Sequence, residues 1–196
     1  MTPLAPWRSP LSRALHRNRS LAYARYFQLA TVRADGSPAN RTVVFRGFSD
    51  RTELPNSLKI ITDQRSQKIT QLGANQRAEA CWYFPKTREQ FRLTGSIRAV
   101  TDDSGDERDR WERSITWQNL SDAARLQFAW PTPGDRRSEA SAFAPAPPDP
   151  QTPPAPFVLL YLIPDQVDWL NLRGEPQDRK VYRQGSDGWH EQVINP

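Results

Sequence analysis

The chain has 196 residues and a formal net charge of +5, from 27 Lys and Arg against 22 Asp and Glu. This is the length of one ordinary domain, and the predicted organisation is a single domain over residues 1–196. No apolar run approaches the length of a membrane span and no signal-peptide core is visible, so neither membrane insertion nor secretion is expected. The single cysteine, Cys81, excludes a disulfide within the chain and suits a reducing cytoplasm.

The basic balance suits an anionic ligand, but it does not by itself indicate nucleic acid, because arginines and acidic residues are interspersed along the chain. His16 and His190 are far apart in sequence, so no metal site is predicted.

The first half of the chain contains a helix and then strands separated by short polar turns. A helix is predicted from Ser9 onward, with Ser9 as its cap. The strand Tyr26–Val32 leads through an Asp-Gly turn into a second strand in the run PANRTVVFRGF. A third strand, Leu58–Thr62, is predicted to extend this sheet as a meander.

A helix capped by Ser66 follows, with Gly73 and Asn75 as its stop. The next two strands are predicted at Ala78–Phe84 and Gln90–Val100, with Gly95 as a bulge in the second.

Residues 106–128 read as two short helices, with Trp111 among the apolar positions of the first and Ser121 as the cap of the second. Residues 131–156 are rich in proline and alanine and are predicted to form a partly mobile loop. The run WPTPGDRR at its head places two arginines near a turn and is suited to close over a ligand.

The most apolar run, Phe157–Ile163, is predicted to be a central strand that Pro164 ends, and Gln166–Leu172 is the next strand. A hairpin around GSDG completes the chain. The predicted fold is mainly β, an antiparallel barrel of seven or eight strands with flanking helices.

The stretch from Arg41 to Lys68 gathers cationic and hydroxyl side chains in a pattern suited to a phosphate. Lys68 falls in the first turn of its helix, where the partial positive charge of the helix end disfavours a cation. An anion held between Arg41, Ser66 and Lys68 would remove this conflict. The alternative is that Arg41 and Lys68 are ordinary solvated charges.

Four motifs in order resemble the pyridoxamine 5'-phosphate oxidase superfamily, in its oxidase-related flavin-binding branch. They are RTVVFR at Arg41, ITDxxSxK ending at Lys68, RxQFRLxG ending at Gly95, and DRxVY at Asp178. The resemblance implies a split β-barrel that dimerises with two FMN molecules in its interface. It covers nearly the whole chain.

The resemblance also implies a set of FMN-binding residues. Arg41 and Lys68 would hold the phosphate, Gln90 would bond near the isoalloxazine ring, and Arg179 would reach the flavin from the other subunit. The complete implied set is Arg41, Thr42, Val43, Val44, Arg46, Ile61, Thr62, Ser66, Gln67, Lys68, Gln90 and Arg179.

Departures from the family pattern concern the substrate more than the cofactor. Glu175, Pro176 and Gln177 stand where the vitamin-making oxidases carry an arginine and a histidine, and Gln67 stands where the family often has a second arginine. Arg46 replaces a lysine on the substrate side. No catalytic residue is therefore assigned, and the small-molecule substrate stays unknown.

The predicted function is a cytoplasmic, homodimeric FMN-binding oxidoreductase with no nucleic-acid or membrane partner. Two alternatives stay open. One is a non-catalytic module that binds or senses flavin or haem, and the other is a binder of single-stranded nucleic acid.

Overall fold

The computed structural model describes residues 3–196, and its strands form one antiparallel sheet that curls into a barrel. The strands are β1 Tyr26–Val32, β2 Pro38–Val44, β3 Leu58–Asp63, β4 Arg77–Phe84, β5 Glu89–Val100, β6 Phe157–Asn171, β7 Asp178–Gly185 and β8 Gly188–Ile194. The helices are α1 Arg8–Asn18, α2 Gln67–Ala74, α3 Glu107–Gln118 and α4 Asp122–Leu126, with 3-10 turns at Ala22–Arg25, Gln127–Ala129 and Ala140–Phe143.

Six strands form the barrel in the cyclic order β1, β2, β3, β6, β5, β4. Every neighbouring pair is a ladder except β2 with β3, which meet just after β2 through an isolated bridge between Phe48 and Leu58. The Arg46 amide donates to the Lys59 carbonyl there, at 2.9 Å. The predicted meander is therefore wrong at β3, whose six-residue ladder is with β6.

The long strand β6 serves two parts of the sheet. Its first half pairs with β3 and β5, and its second half pairs with β5 and β7, which continues into the β7–β8 hairpin. Pro164 was expected to end this strand, but the strand runs on to Asn171. Pro164 is tolerated because it lies opposite Gly95, where the β5–β6 register shifts as the predicted bulge requires.

The barrel interior is filled by large side chains from all its walls. Phe27, Trp82, Phe91 and Leu160 are fully buried. The first three follow the alternating burial of their strands, whereas Leu160 belongs to a continuous buried run over residues 157–162 of β6. Trp7, just before α1, packs edge-on against Trp189 of β8, with ring centroids 5.8 Å apart.

The helix boundaries differ in detail from the prediction. Helix α1 begins at Arg8 after Trp7, so Ser9 lies inside its first turn and does not cap it. Helix α2 includes Gly73 and ends at Ala74, with Asn75 as the C-cap. Ser121 accepts a hydrogen bond from the Ala124 amide, which confirms it as the cap of α4.

Helix α3 packs against β3 and β6 through buried polar contacts. Glu112 accepts hydrogen bonds from the Tyr161 hydroxyl and the Asp50 amide, and its carboxylate lies 3.1 Å from the Lys59 ammonium. Trp117 is buried, whereas Trp111 is 57% exposed.

The proline-rich segment is attached to the body at several points, although it was expected to be partly mobile. The Trp117 indole donates to the Asp149 carbonyl at 2.9 Å, and Arg113 donates to the carbonyls of Pro154 and Phe157. At its head, the rings of Trp130 and Phe143 lie 5.8 Å apart. Helix α3 therefore contacts both β3, through Glu112 and Lys59, and the proline-rich segment, through Trp117 and Asp149.

Candidate functional site

A cavity of about 670 Å³ lies between β2, β3, α2 and the head of the proline-rich segment. Eight of the twelve predicted site residues line it: Arg41, Thr42, Val43, Val44, Arg46, Ile61, Thr62 and Lys68. They meet because the chain just after β2 bonds to the start of β3, and α2 begins just after β3. The size is typical of a small-molecule site.

Ser66 and Gln67 do not line this cavity, but they lie next to Lys68 and Gly134, which do. The Ser66 hydroxyl lies 3.2 Å from the Thr62 hydroxyl and 3.3 Å from the Lys68 ammonium. It is the N-cap of α2 by position but makes no side-chain cap. The side chain of Ser66 therefore bonds to no amide of the first turn of α2, although its backbone carbonyl accepts a hydrogen bond from the Ile69 amide at 2.9 Å.

Arg41 is held firmly at one end of the cavity. Its guanidinium donates to the Leu29 carbonyl at 3.1 Å, to the Thr31 hydroxyl at 2.6 Å and to the Gln71 side-chain oxygen at 3.0 Å. Lys68 donates to the Thr62 hydroxyl at 2.8 Å. All these partners are neutral, so no carboxylate compensates either charge through these bonds.

The cations of the cavity have lowered pKa values. Burial is the main cause for Lys68, and the nearby positive charge of Arg41 adds to it. Burial likewise lowers the pKa of Arg41 and that of Arg46, with smaller contributions from Arg33 and Arg25 respectively. A bound anion would relieve this cost, because an opposite charge favours the charged form of each group.

Two residues that line the cavity each carry a buried donor without an acceptor. The donors are Nε of Arg46 and Nε1 of Trp130, and neither has a hydrogen-bond partner among residues 3–196. Buried donors are normally paired, so their presence here indicates a ligand that brings its own acceptors. Flavin mononucleotide fits this donor set, because it combines a phosphate with ring carbonyls that accept hydrogen bonds. Val44, Ile61 and Phe128 add apolar side chains to the lining of the cavity.

Several lining residues were not among the predicted ones. Tyr26, Phe128 and Phe143 line the cavity together with the run from Trp130 to Ser138. Only the WPTPGDRR run carried a signal in the sequence, namely two arginines beside a turn. Tyr26 and Phe128 read equally well as ordinary strand and helix positions.

Gln90 and Arg179 do not line this cavity. They lie in one row across the sheet, with Gln90 of β5 opposite Leu170 of β6 and Leu170 opposite Arg179 of β7. The structure therefore separates them from Arg41 and Lys68 within one chain, as a contribution to a second subunit's site would require.

Asp168 holds Arg179 in this row. Its carboxylate accepts two hydrogen bonds from Arg179, at 3.1 and 2.8 Å, and one from Arg92 at 2.5 Å. Burial alone would raise the pKa of this carboxyl, but the hydrogen bonds and charges of Arg179 and Arg92 outweigh burial and hold the pKa below its usual value.

Asp168→Asn is expected to lower the free energy of unfolding by about 1 to 3 kcal/mol at pH 7, since it removes hydrogen bonds to a charged acceptor. A lowered folded-state pKa stabilises the fold above the unfolded value of about 3.9, and this contribution is lost as pH falls through the folded value. Urea unfolding at pH 7 and in acid should thus give a flatter pH dependence for the variant.

Asp165→Asn is the matched control for that variant. Asp165 pairs with Arg77 on the surface, where both side chains are about half exposed. Such pairs contribute about 0 to 1 kcal/mol. Equal losses in the two variants would contradict the role given to Asp168.

Glu175, Pro176 and Gln177 lie in the turn between β6 and β7. Together with Arg88 they line a separate cavity of about 400 Å³. The positions at which the vitamin-making oxidases carry their substrate residues therefore lie outside the cavity that Arg41 and Lys68 line.

The sequence of the chain is similar to a known protein family and to a named relative. The family model described as pyridoxamine 5'-phosphate oxidase, FMN-binding domain, matches residues 4–101. A protein of Arabidopsis thaliana named pyridoxine/pyridoxamine 5'-phosphate oxidase 2 is 36% identical over 199 residues, which cover 100% of this chain and 99% of the relative.

Solved structures agree with the fold. A pyridoxamine 5'-phosphate oxidase-related, FMN binding protein from Nostoc punctiforme PCC 73102 superposes with a TM-score of 0.94 and 53% identity, covering 100% of both chains. PhzG from Burkholderia lata 383, solved with tetrahydrophenazine-1-carboxylic acid, has a TM-score of 0.79 at 18% identity, covering 99% of this chain and 94% of its own. That second likeness concerns the fold alone. Among residues 3–196, no helix has the length and apolar character needed to cross a membrane.

Proposed function

Because the chain belongs to the pyridoxamine 5'-phosphate oxidase FMN-binding family, we propose that it is a cytoplasmic FMN-dependent oxidoreductase that works as a homodimer. FMN is the cofactor of this family. The whole chain, residues 1–196, would form one FMN-binding domain with the proline-rich segment as its largest loop.

The observation that carries the proposal is a set of cations in the cavity that form no ion pair with any of residues 3–196. Arg41, Arg46 and Lys68 face it with lowered pKa values, and the Arg46 Nε has no acceptor. In the proposed complex, Arg41, Ser66, Gln67 and Lys68 bind the phosphate. The strand residues Thr42, Val43, Val44, Ile61 and Thr62 line the rest of the cofactor.

The second subunit would complete each site. Gln90 and Arg179 lie on the outer side of the sheet, where Arg179 keeps 28% of its side chain exposed while Asp168 orients it. A glutamine amide can donate to and accept from the polar edge of a flavin ring. An arginine near that edge stabilises the reduced, anionic flavin. FMN supplies the redox chemistry, and these side chains bind and orient it.

Purified protein is expected to carry a yellow flavin or to acquire its visible absorbance on mixing with FMN, and to have the mass of a dimer in solution. Steady-state turnover with NAD(P)H or pyridoxamine 5'-phosphate then separates an enzyme from a flavin-sensing module. A colourless protein that gains no flavin absorbance with FMN would contradict the proposal, and a monomeric flavoprotein would contradict its subunit arrangement.

A further inference from the structure

The cavity carries more positive charge than the strand and helix residues supply. Its lining includes Arg136 and Arg137 in addition to Arg41, Arg46 and Lys68. It includes two carboxylates, of which Asp63 is already paired with Arg65 at 2.6 Å. Asp135 is the other, and it forms no ion pair with any of residues 3–196. The balance leaves the segment side of the cavity cationic.

The two segment arginines are free to bind a ligand. Across residues 3–196, neither guanidinium group donates a hydrogen bond or forms an ion pair, and both side chains are exposed. Arg137 stacks over the Phe143 ring at 4.1 Å, which orients its planar group without using its N–H donors. Trp130, whose Nε1 lacks an acceptor, contacts the same Phe143 ring.

The segment reaches the end of the cavity where α2 begins. A Cβ atom placed on Gly134 would lie 3.9 Å from Nε2 of Gln67, so the turn abuts the first residue of α2. Arg136 and Arg137 follow two and three residues later, within about 11 Å of Gly134 by chain length. Both arginines line the same cavity as Arg41 and Lys68, and they do so from the proline-rich segment rather than from β2 or α2.

Arg41 cannot surround an anion by itself. Three of its N–H groups already bond to Leu29, Thr31 and Gln71, and Lys68 bonds to Thr62 and Ser66. Both approach from the β2, β3 and α2 side. A phosphate has acceptor oxygens in several directions, so donors on the opposite side would complete its shell.

We propose that Arg136, Arg137 and the Trp130 indole form a second anion-binding wall of this cavity, which binds a phosphate or carboxylate group. The inference rests on the proposed flavin site. The anionic group is either the phosphate of FMN itself or that of a second ligand bound beside the flavin.

The test compares Arg136→Gln/Arg137→Gln with Arg17→Gln, which alters an exposed arginine of α1 away from the cavity. If the wall binds the phosphate of FMN, the double variant should bind FMN about tenfold to a hundredfold more weakly, the range for losing charged hydrogen bonds. Its affinity for riboflavin, which lacks the phosphate, should equal that of the wild type. Arg17→Gln should change neither affinity.

The second source of the anion is tested on FMN-loaded protein. If the wall binds a separate ligand, inorganic phosphate should perturb the visible flavin spectrum of the wild type and of Arg17→Gln saturably, and this response should be lost in the double variant. The circular dichroism spectrum and the melting temperature should be unchanged in the double variant and in Arg17→Gln, because the side chains of Arg17, Arg136 and Arg137 are all exposed.

Outcomes that overturn the inference are distinct from failure of the proposed function. A double variant that matches the wild type in FMN affinity, riboflavin affinity and phosphate response would overturn the inference while leaving the flavin site standing. Wild-type protein that binds neither FMN nor riboflavin would overturn both.

Discussion

Lys68→Glu is expected to abolish FMN binding while leaving the fold intact. The Lys68 ammonium now lies 2.8 Å from the Thr62 hydroxyl. A carboxylate in its place would repel the phosphate of FMN instead of attracting it. The fold should survive because Lys68 lies in the first turn of α2, where an acidic residue is favoured and a lysine is not. Titration with FMN, followed by flavin fluorescence, measures the loss.

Two further variants make this result specific. Lys68→Met removes the charge without reversing it and should weaken FMN binding about tenfold to a hundredfold. Arg17→Glu makes the same change in net charge on the exposed face of α1 and should bind FMN as the wild type does. Unchanged FMN affinity in Lys68→Glu, with the fold retained, would exclude the phosphate from this end of the cavity.

Gly95→Ala is expected to destabilise the barrel by about 3 kcal/mol, at the upper end of the usual cost of overpacking. A Cβ atom at this position would lie 2.1 Å from the Ile163 carbonyl oxygen and 2.8 Å from Cα of Pro164. Both are backbone atoms of β6, which cannot retreat without disturbing the β3 and β5 ladders. Thermal unfolding should show a melting temperature lower by about 6 to 12 °C.

Gly73→Ala is the control for this variant, because it adds the same methyl group where there is room. No atom lies within 4 Å of the Cβ position at Gly73, which is inside α2. Alanine is the better helix former, so this variant should be stabilised by about 0.5 to 1 kcal/mol. A Gly95→Ala protein that melts with the wild type would show that the close approach of β5 and β6 is not obligatory.

Local patterns in the sequence predicted most elements of the fold. The strand Tyr26–Val32 has the predicted bounds, the bulge at Gly95 is present, and Ser121 caps α4. These features depend on neighbours in sequence, namely alternation, turn residues and a cap side chain. They were predictable for that reason.

Features that depend on distant partners were not predictable in the same way. The pairing of β3 with β6 joins residues about a hundred positions apart, and a consecutive meander was the simpler reading of the same strands. The sequence predicts a strand end at Pro164 because proline lacks an N–H group, but it does not show that Pro164 lies opposite Gly95.

The candidate site shows the same division. Arg41 and Lys68 belong to one compact sequence stretch and do line one cavity. Their grouping with Gln90 and Arg179 came from the family resemblance, and within one chain the structure keeps the two groups apart. Arg136 and Arg137 belong to the WPTPGDRR run, whose arginines beside a turn do suggest a ligand, but the position of this run beside α2 depends on contacts distant in sequence.

The hydrogen bonds of Arg41 and Lys68 within the protein have a consequence for how the site is loaded. Leu29, Thr31 and Gln71 fix Arg41, and Thr62 fixes Lys68, before any ligand arrives. Immobilising a long side chain on binding costs about 0.5 to 1.5 kcal/mol, and here that loss of conformational entropy is already incurred when the chain folds. Arg41 and Lys68 are thus preorganised, so cofactor-free protein should bind FMN without a rearrangement of these two side chains.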